Sequence, residues 1–235
     1  MKKVLVHLHL FYQEQLLYFL DKLKNINGCD WHLIVTVCEH NDETEKNIWD
    51  LKPDAEIRLV ENKGYDILPF LNVLKSVNLD DYDYVLKLHT KGIRDNIINL
   101  NGIPFYGIFW PSRLVDSMLY SEEIFNCNLQ ILDSNEYGMV SDSFFTIPLM
   151  NYPEDTYMLD ALKSQLNIKS DYNYFCAGSM FLIKTSILKR LSDFNVNDEN
   201  KWHTGAVATI YHVIERIFTI LTDDEGYKIY KVPMF

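Results

Sequence analysis

The stretch Tyr82-Asp83-Tyr84-Val85-Leu86-Lys87-Leu88-His89-Thr90-Lys91 reads as a buried strand that runs out into a polar, basic tip. About twenty residues earlier comes a second strand, Ile57-Arg58-Leu59-Val60, with the exit Glu61-Asn62-Lys63-Gly64-Tyr65-Asp66. In an open α/β sheet, ligands bind outside the carboxyl ends of the strands. One exit offers His89 and Lys91, and the other offers Asn62, Gly64 and Asp66. Together they suggest a site for a phosphorylated ligand.

Outward from these exits, the first half alternates strand and helix. Strands are expected at Lys3–His9, Trp31–Val37, Glu56–Val60 and Tyr82–Leu88. The intervening helices are Gln13–Lys24, with Leu16, Leu17, Leu20 and Leu23 on one face, a short one from Asn41-Asp42 through Trp49, and one starting near Asp66. That last helix carries Pro69 in its first turn, where proline is tolerated, and Phe70, Leu71, Leu74 and Val77 on its apolar face. Such alternation implies an α/β, mostly parallel, Rossmann-type sheet flanked by helices. In the second half, residues 92–104 read as a loop. Helices follow at Phe105–Tyr120, Ser121–Ser134, Asp155–Gln165, Thr185–Leu191 and Thr204–Leu221. Strands are expected at Tyr137–Val140, Phe175–Ile183 and Tyr227–Val232. The simplest organisation is one domain over residues 1–235, with a nucleotide-binding half to about residue 92 and an acceptor half beyond it.

The chain has 235 residues, 48% of them hydrophobic, enough to bury a full core. A formal charge of −11 argues against nucleic acid or an anionic membrane as main partner. Cys29, Cys38, Cys127 and Cys176 form no CxxC pair, which excludes a zinc pattern and a dense disulfide framework. The start, Met1-Lys2-Lys3-Val4-Leu5-Val6, is broken by His7 and His9 and lacks a small-residue cleavage site, so it reads as a strand and not a signal peptide. No apolar run is long enough for a transmembrane helix. The expected location is the cytoplasm.

Several constellations carry a bland and a functional reading. Asn62-Lys63-Gly64-Tyr65-Asp66 is either a ligand loop or a turn in which Asn62 and Asp66 cap the following helix. His89-Thr90-Lys91 either supplies donors and charge to a diphosphate or is a solvated loop. No Asp-x-Asp pair stands at this strand exit; the acidic cluster Asp80-Asp81-Tyr82-Asp83 lies before the strand, at the wrong end for a ligand metal. Cations would then do the work of a metal. His7 and His9 share a face of the first strand, with His7 packed and His9 close enough to the strand end to touch a ligand. The small residues of Cys176-Ala177-Gly178-Ser179 give either tight sheet packing or the floor beneath a sugar. Glu215 falls among apolar neighbours on the last helix, so it is an anchor or a catalytic carboxylate.

These pieces together resemble the rhamnan synthesis protein F family of bacterial polysaccharide glycosyltransferases. The resemblance rests on His7-Leu8-His9-Leu10-Phe11-Tyr12, Glu61 to Leu71, Lys87-Leu88-His89-Thr90-Lys91, Phe175 to Phe181 and Glu215-Arg216, in that order. Two places depart from the family pattern: Gly92-Ile93 follows Lys91 where a more basic stretch is common, and His203-Thr204-Gly205 lacks an acidic residue before its glycine.

The resemblance implies a GT-A-like fold and an inverting hexosyltransferase. It would move a sugar, rhamnose among the candidates, from a nucleoside-diphosphate sugar to a glycan or lipid-linked glycan in cell-surface polysaccharide synthesis, of lipopolysaccharide or capsule. On this reading His9, Asn62, Gly64, Asp66, His89 and Lys91 bind the donor. Gly178, Ser179 and Arg216 meet sugar and acceptor, and Glu215 is the base, with His212 or Asp95 next in line. No cofactor is expected and Mg²⁺ or Mn²⁺ is not required, with Asp66 or Asp142 as alternative ligands. The protein would work in the cytoplasm or peripherally at the inner face of the membrane. The rival from another class is a non-catalytic glycan- or nucleotide-binding module on the same fold. A nucleotidyltransferase would need a metal-binding carboxylate pair and a glycine-rich first loop, and the first strand leads to His-Leu-Phe-Tyr instead.

Overall fold

The computed structural model describes residues 1–100, 102–149, 156–196 and 209–233. Strand β1 (Lys3–Leu10) lies between β2 (Asp30–Val37) and β4 (Tyr84–His89), parallel to both, and β3 (Glu56–Leu59) extends the sheet beyond β2. On the other side of β4 come β10 (Phe181–Lys184), β7 (Tyr137–Asp142) and β11 (Lys228–Val232). The order is β11-β7-β10-β4-β1-β2-β3, and β10 alone among these strands runs antiparallel to its neighbours. The α/β, mostly parallel sheet flanked by helices is thus present.

Helices cover both faces, which is why β1 and β4 read as near-continuous apolar runs. One face packs against α1 (Leu16–Leu23), α2 (Asp42–Leu51), α4 (Trp110–Leu119) and α5 (Glu122–Asp133) through Phe19, Ile48, Leu114 and Phe125. The other packs against α3 (Ile67–Ser76), α6 (Thr156–Gln165), α7 (Thr185–Ser192) and α8 (Ile210–Asp224) through Phe70, Leu162, Ile187 and Phe218. The strand period of two sorts the side chains. Val4, Val6 and Leu8 enter the first core, whereas Leu5 enters the second. Toward the carboxyl end, the second face turns polar: His7, His9, Lys87 and His89 are all buried there. His7 stacks on Phe70 of α3, with ring centroids 5.5 Å apart.

Local chemistry explains several boundaries. The Asn41 side chain accepts the Thr44 N–H at 3.0 Å and caps α2. Ser121 does the same for α5, accepting from Ile124 N–H at 3.3 Å. Other expectations are corrected. Leu17 is exposed, and Phe19 takes its place on the buried face of α1, because Leu16, Phe19, Leu20 and Leu23 share the helical stripe. The loop over 92–104 contains a hairpin, β5 (Ile97–Leu100) with β6 (Ile103–Tyr106). Its signal was the dipeptide Asn101-Gly102, the preferred two-residue hairpin connection. The helix expected from Phe105 therefore starts only at Trp110, after a 3-10 turn over Gly107–Phe109. The single strand expected over Phe175–Ile183 is two strands in different sheets. One is β9 (Tyr174–Cys176), paired with β8 (Thr146–Pro148), and the other is β10. Of the last long helix, residues 204–208 lie outside the described residues, as does the stretch His203-Thr204-Gly205. Among the described residues no helix is long and apolar enough to cross a membrane.

Gly64 makes the turn into α3 at φ +69°, and its carbonyl accepts the Ile67 and Leu68 N–H groups at 3.1 Å. A Cβ there would lie 2.4 Å from Leu68 Cβ and 2.8 Å from the Tyr211 ring of α8. Gly64→Ala is therefore expected to destabilise the fold by about 1–3 kcal/mol, from strain and overpacking together. A chain of this size should lose about 2–4 °C of melting midpoint per kcal/mol. A variant that melts with the wild type would show that the α3–α8 approach does not depend on this glycine.

Candidate functional site

The Lys87 side chain is fully buried in the centre of the sheet. A buried ammonium needs partners. It donates to the Asp66 carboxylate, to the Ser179 carbonyl at 2.9 Å and to the Ser179 hydroxyl at 3.0 Å. The Ser179 hydroxyl in turn donates to Asp66 at 2.6 Å. Asp66 occupies the N-cap position of α3, yet its side chain makes no capping bond; it turns inward to the lysine. Burial opposes its charge, but His89, Lys87 and the hydrogen bonds from Lys87 and Ser179 outweigh burial and hold the carboxyl well below the usual range.

The turn between β9 and β10 carries the next contacts. Gly178 (φ +94°) and Ser179 (φ +45°) both sit in the left-handed region. At Gly178 a Cβ would lie 2.7 Å from Leu114 Cδ1 and 3.3 Å from Trp110 Nε1, so glycine lets α4 close on the turn. The Gly178 N–H donates to Glu215 Oε1 of α8 at 2.7 Å. The Gly178 carbonyl lies 2.7 Å from His89 Nε2, and His89 Nδ1 is 2.9 Å from the Thr90 carbonyl. A neutral imidazole can donate to only one of the two. Burial lowers the His89 pKa to about 4, with Asp66 opposing and the Lys87 and Lys91 charges assisting. Burial, and after it the charge of Asp66, raises the Glu215 pKa against the pull of Lys91 and the Gly178 N–H.

Thr90 fastens the segment after β1. Its hydroxyl accepts the Phe11 and Tyr12 N–H groups, each at 2.9 Å, and its own N–H donates to the His9 carbonyl at 3.0 Å. Lys91 then leaves the sheet, with its ammonium 4.3 Å from the Trp110 ring centroid. Burial lowers its pKa, while Glu215 and Asp66 favour the charged form. The result is a cleft of about 500 Å³ at the carboxyl ends of β1 and β4. Asp66, His89, Lys91, Arg94, Gly178 and Glu215 are on its wall, together with Tyr12, Tyr65, Tyr211 and His212.

Six of the residues singled out in the sequence thus meet in one cleft: Asp66, His89, Lys91, Gly178, Glu215 and the reserve base His212. Ser179 lies behind the wall, 1% exposed, as the partner of Asp66 and Lys87. His9 is also behind it, with Nδ1 2.9 Å from the Thr36 hydroxyl that His7 Nε2 meets at 3.0 Å. Gly64 shapes the turn into α3, and Asn62 is exposed outside the wall. Arg216 points away; its guanidinium donates to the His212 carbonyl at 2.5 Å and lies 5.1 Å from the Phe175 ring. Asp95 is exposed in the loop after Lys91. Asp142 lies elsewhere, paired with Arg113 at 3.2 Å. Asp80 and Asp81 stand before β4, at the opposite end of the strand from the cleft. Sequence reasoning missed Arg94, Tyr12, Tyr211 and the role of Lys87. The Lys87 signal was a charge in an otherwise apolar strand, two residues before His89 and on the same face.

The carboxylates on the cleft wall are Asp66 and Glu215, and both are engaged, with Lys87 and Ser179 and with the Gly178 N–H respectively. Among the described residues no group of three His, Cys, Asp or Glu side chains converges as a metal site.

A family model described as rhamnan synthesis protein F matches residues 1–227, and the chain belongs to that family. Two relatives named uncharacterized protein WxcX, from two strains of Xanthomonas campestris pv. campestris, are 26% identical over 244 residues, covering 95% of this chain and 32% of theirs. The chain spans about a third of the length of these relatives. Among solved structures, the Pyrobaculum calidifontis mannosyltransferase PcManGT in complex with GDP-Man and Mn²⁺ is similar at TM-score 0.47 and 16% identity, over 98% of this chain and 54% of that one. S. aureus TarS 1-349 gives 0.46 and 12%, over 94% and 55%. Glucosyl-3-phosphoglycerate synthase from Mycobacterium tuberculosis gives 0.45 and 14%, over 99% and 70%.

The buried network makes two measurable statements. Lys87→Met strands the Asp66 carboxylate and should cost about 3–5 kcal/mol in chemical denaturation, with much of it recovered in Lys87→Met/Asp66→Leu. A single variant as stable as the wild type would show that the pair does not hold the fold. The buried histidines contribute a pH dependence of definite sign. Burial, assisted by the His89 charge, lowers the His9 pKa to about 4, and His89 is lowered to about 4 as well. Both lie below the unfolded value of about 6.5, so the unfolded chain binds more protons between these limits. Their stabilisation is complete above about pH 6.5 and is lost as pH falls toward about 4. Melting midpoints measured across that window should decline, and a flat profile would contradict the buried, neutral histidines.

Proposed function

We propose that this member of the rhamnan synthesis protein F family is a glycosyltransferase that takes its sugar from a nucleoside diphosphate. The observation that carries the reading is the meeting, in one cleft at the sheet's carboxyl edge, of a carboxylate with raised pKa, Glu215, and the cation Lys91. An acid–base reaction at a hydroxyl needs the first, and a departing diphosphate needs the second. Within a single domain, the half to about residue 92 supplies most of the donor contacts, and the rest supplies the sugar and acceptor side.

In this mechanism Glu215 takes the proton of the acceptor hydroxyl. The hydroxyl oxygen bonds to the anomeric carbon as the bond from that carbon to the diphosphate oxygen breaks, and the diphosphate leaves with the electron pair. Attack from the face opposite the leaving group inverts the anomeric centre. The Gly178 N–H fixes the direction of the carboxylate at 2.7 Å. Burial and the charge of Asp66 make Glu215 a stronger base than an exposed glutamate. Lys91 and His89 face the leaving diphosphate. A divalent metal, if bound, would supply further positive charge to the departing diphosphate, and Asp66 is the wall carboxylate that would hold it. The sugar is a hexose, with rhamnose the first candidate from the family's description. The acceptor is a glycan or lipid-linked glycan of a cell-surface polysaccharide, such as lipopolysaccharide or capsule, reached from the cytoplasm or the inner face of the membrane.

Glu215→Gln keeps the size and the Gly178 contact but cannot take a proton. With a panel of nucleoside-diphosphate sugars, turnover or slow donor hydrolysis should fall about 10²–10⁴-fold, with donor affinity and melting midpoint close to wild type. A folded variant with near-normal turnover removes Glu215 from the mechanism. Wild-type protein that binds nucleotides and turns over none of the donors would instead favour the non-catalytic binding module.

A further inference from the structure

The cations in the cleft have an unusual setting. Lys91 and Arg94 both lie against the ring of Trp110, the first residue of α4, with Lys91 Nζ 4.3 Å and the Arg94 guanidinium carbon 5.5 Å from its centroid. Neither forms an ion pair with a described residue, although acidic groups outnumber basic ones in the chain by 33 to 22. A cation over an indole face keeps its charge and its donors available, whereas one paired with a carboxylate spends them. The ring itself is fixed: it stacks on Phe145 at 5.4 Å with an interplanar angle of 4°, and Phe105 meets it edge-on at 6.1 Å. Phe145 is fully buried, so the platform is anchored in the core. The Lys91 backbone is held as well, since Gln15 Nε2 donates to its carbonyl at 2.8 Å.

We infer that Lys91 and Arg94, aligned on the Trp110 ring, form a two-cation clamp that recognises two adjacent phosphate groups, and that Trp110 is the residue that positions them. Arg94 is thereby a further ligand-binding residue of the cleft. The inference rests on the donor-site reading above for its biological ligand, but the clamp is defined by phosphate chemistry alone. One fixed cation serves a single phosphate; two held on one ring favour a diphosphate. The cleft then selects nucleoside diphosphates over monophosphates, which lets the product nucleotide be held until the sugar has moved.

Calorimetric titration with inorganic pyrophosphate and with orthophosphate tests this on the full chain. Wild type should bind pyrophosphate at least about 10-fold more tightly than orthophosphate, the scale of one charge-assisted hydrogen bond. Arg94 is exposed, so Arg94→Gln should fold normally; it should lose about 10-fold in pyrophosphate affinity and little for orthophosphate. Trp110→Leu leaves both cations in place but should lose a similar factor, and Trp110→Phe should restore most of it. Arg94→Gln with wild-type pyrophosphate affinity overturns the clamp, whether or not the Trp110 variants fold. Trp110→Leu with wild-type affinity overturns the positioning role. A protein that binds pyrophosphate through these residues but turns over no nucleoside-diphosphate sugar would keep the clamp and remove the transferase reading.

Discussion

The buried ammonium of Lys87 is the constraint around which the rest is arranged. Removing an amine from water costs several kcal/mol, and only well-placed acceptors offset it. The acceptors come from far along the chain: Asp66 at the start of α3 and Ser179 in the turn between β9 and β10. The Phe70 and Phe181 rings, 5.4 and 5.9 Å from the ammonium, close the remaining sides. One charge therefore ties a central strand, a helix start and a loop into fixed relation. Because Asp66 answers the lysine, it does not cap its own helix. Because Ser179 answers it too, the turn is held at positive φ, with the Gly178 N–H on Glu215 and its carbonyl beside His89.

The same network divides the sheet along its length. On the α3–α8 face, Leu5 and Val85 give an apolar amino end, while His7, His9, Lys87 and His89 give a polar carboxyl end. The polar end is buried from bulk water yet hydrogen-bonded within, as buried polar groups must be. Thr36 serves two histidines from β2, and Thr90 serves the segment after β1. The cleft lies beyond this layer, so its wall rests on groups whose rotamers are already set. Such support is what a precise binding site requires.

Charge is distributed with similar economy. A chain of net charge −11 repels anions at long range. Within a Debye length the local balance matters more, and at the cleft Lys91 and Arg94 face inward from an aromatic support. Glu215 stands opposite in a setting that disfavours its charge. Positive charge at the cleft is thus a local property of the pocket and not of the molecule's overall field.

Much of this was legible in the linear chain. Strand–helix alternation and the apolar runs of β1 and β4 determined an α/β, mostly parallel sheet, because backbone pairing and periodic burial are local requirements. The polar exits at Asp66 and at His89-Thr90-Lys91 marked where a cleft would lie, because strand ends in such sheets are where side chains escape the core. Tertiary structure alone decided which of those residues face the cleft. His9, Ser179 and Arg216 stand in the same motifs as residues on the wall, yet they face Thr36, Lys87 and Phe175. It also decided that the stretch from Phe175 to Ile183 breaks into two strands, since that turn exists to meet Lys87, 92 residues away in sequence. The physical reason is that a side chain's partner is chosen by the cost of leaving a buried charge or donor unmet. That cost is set by groups brought together only when the chain is folded.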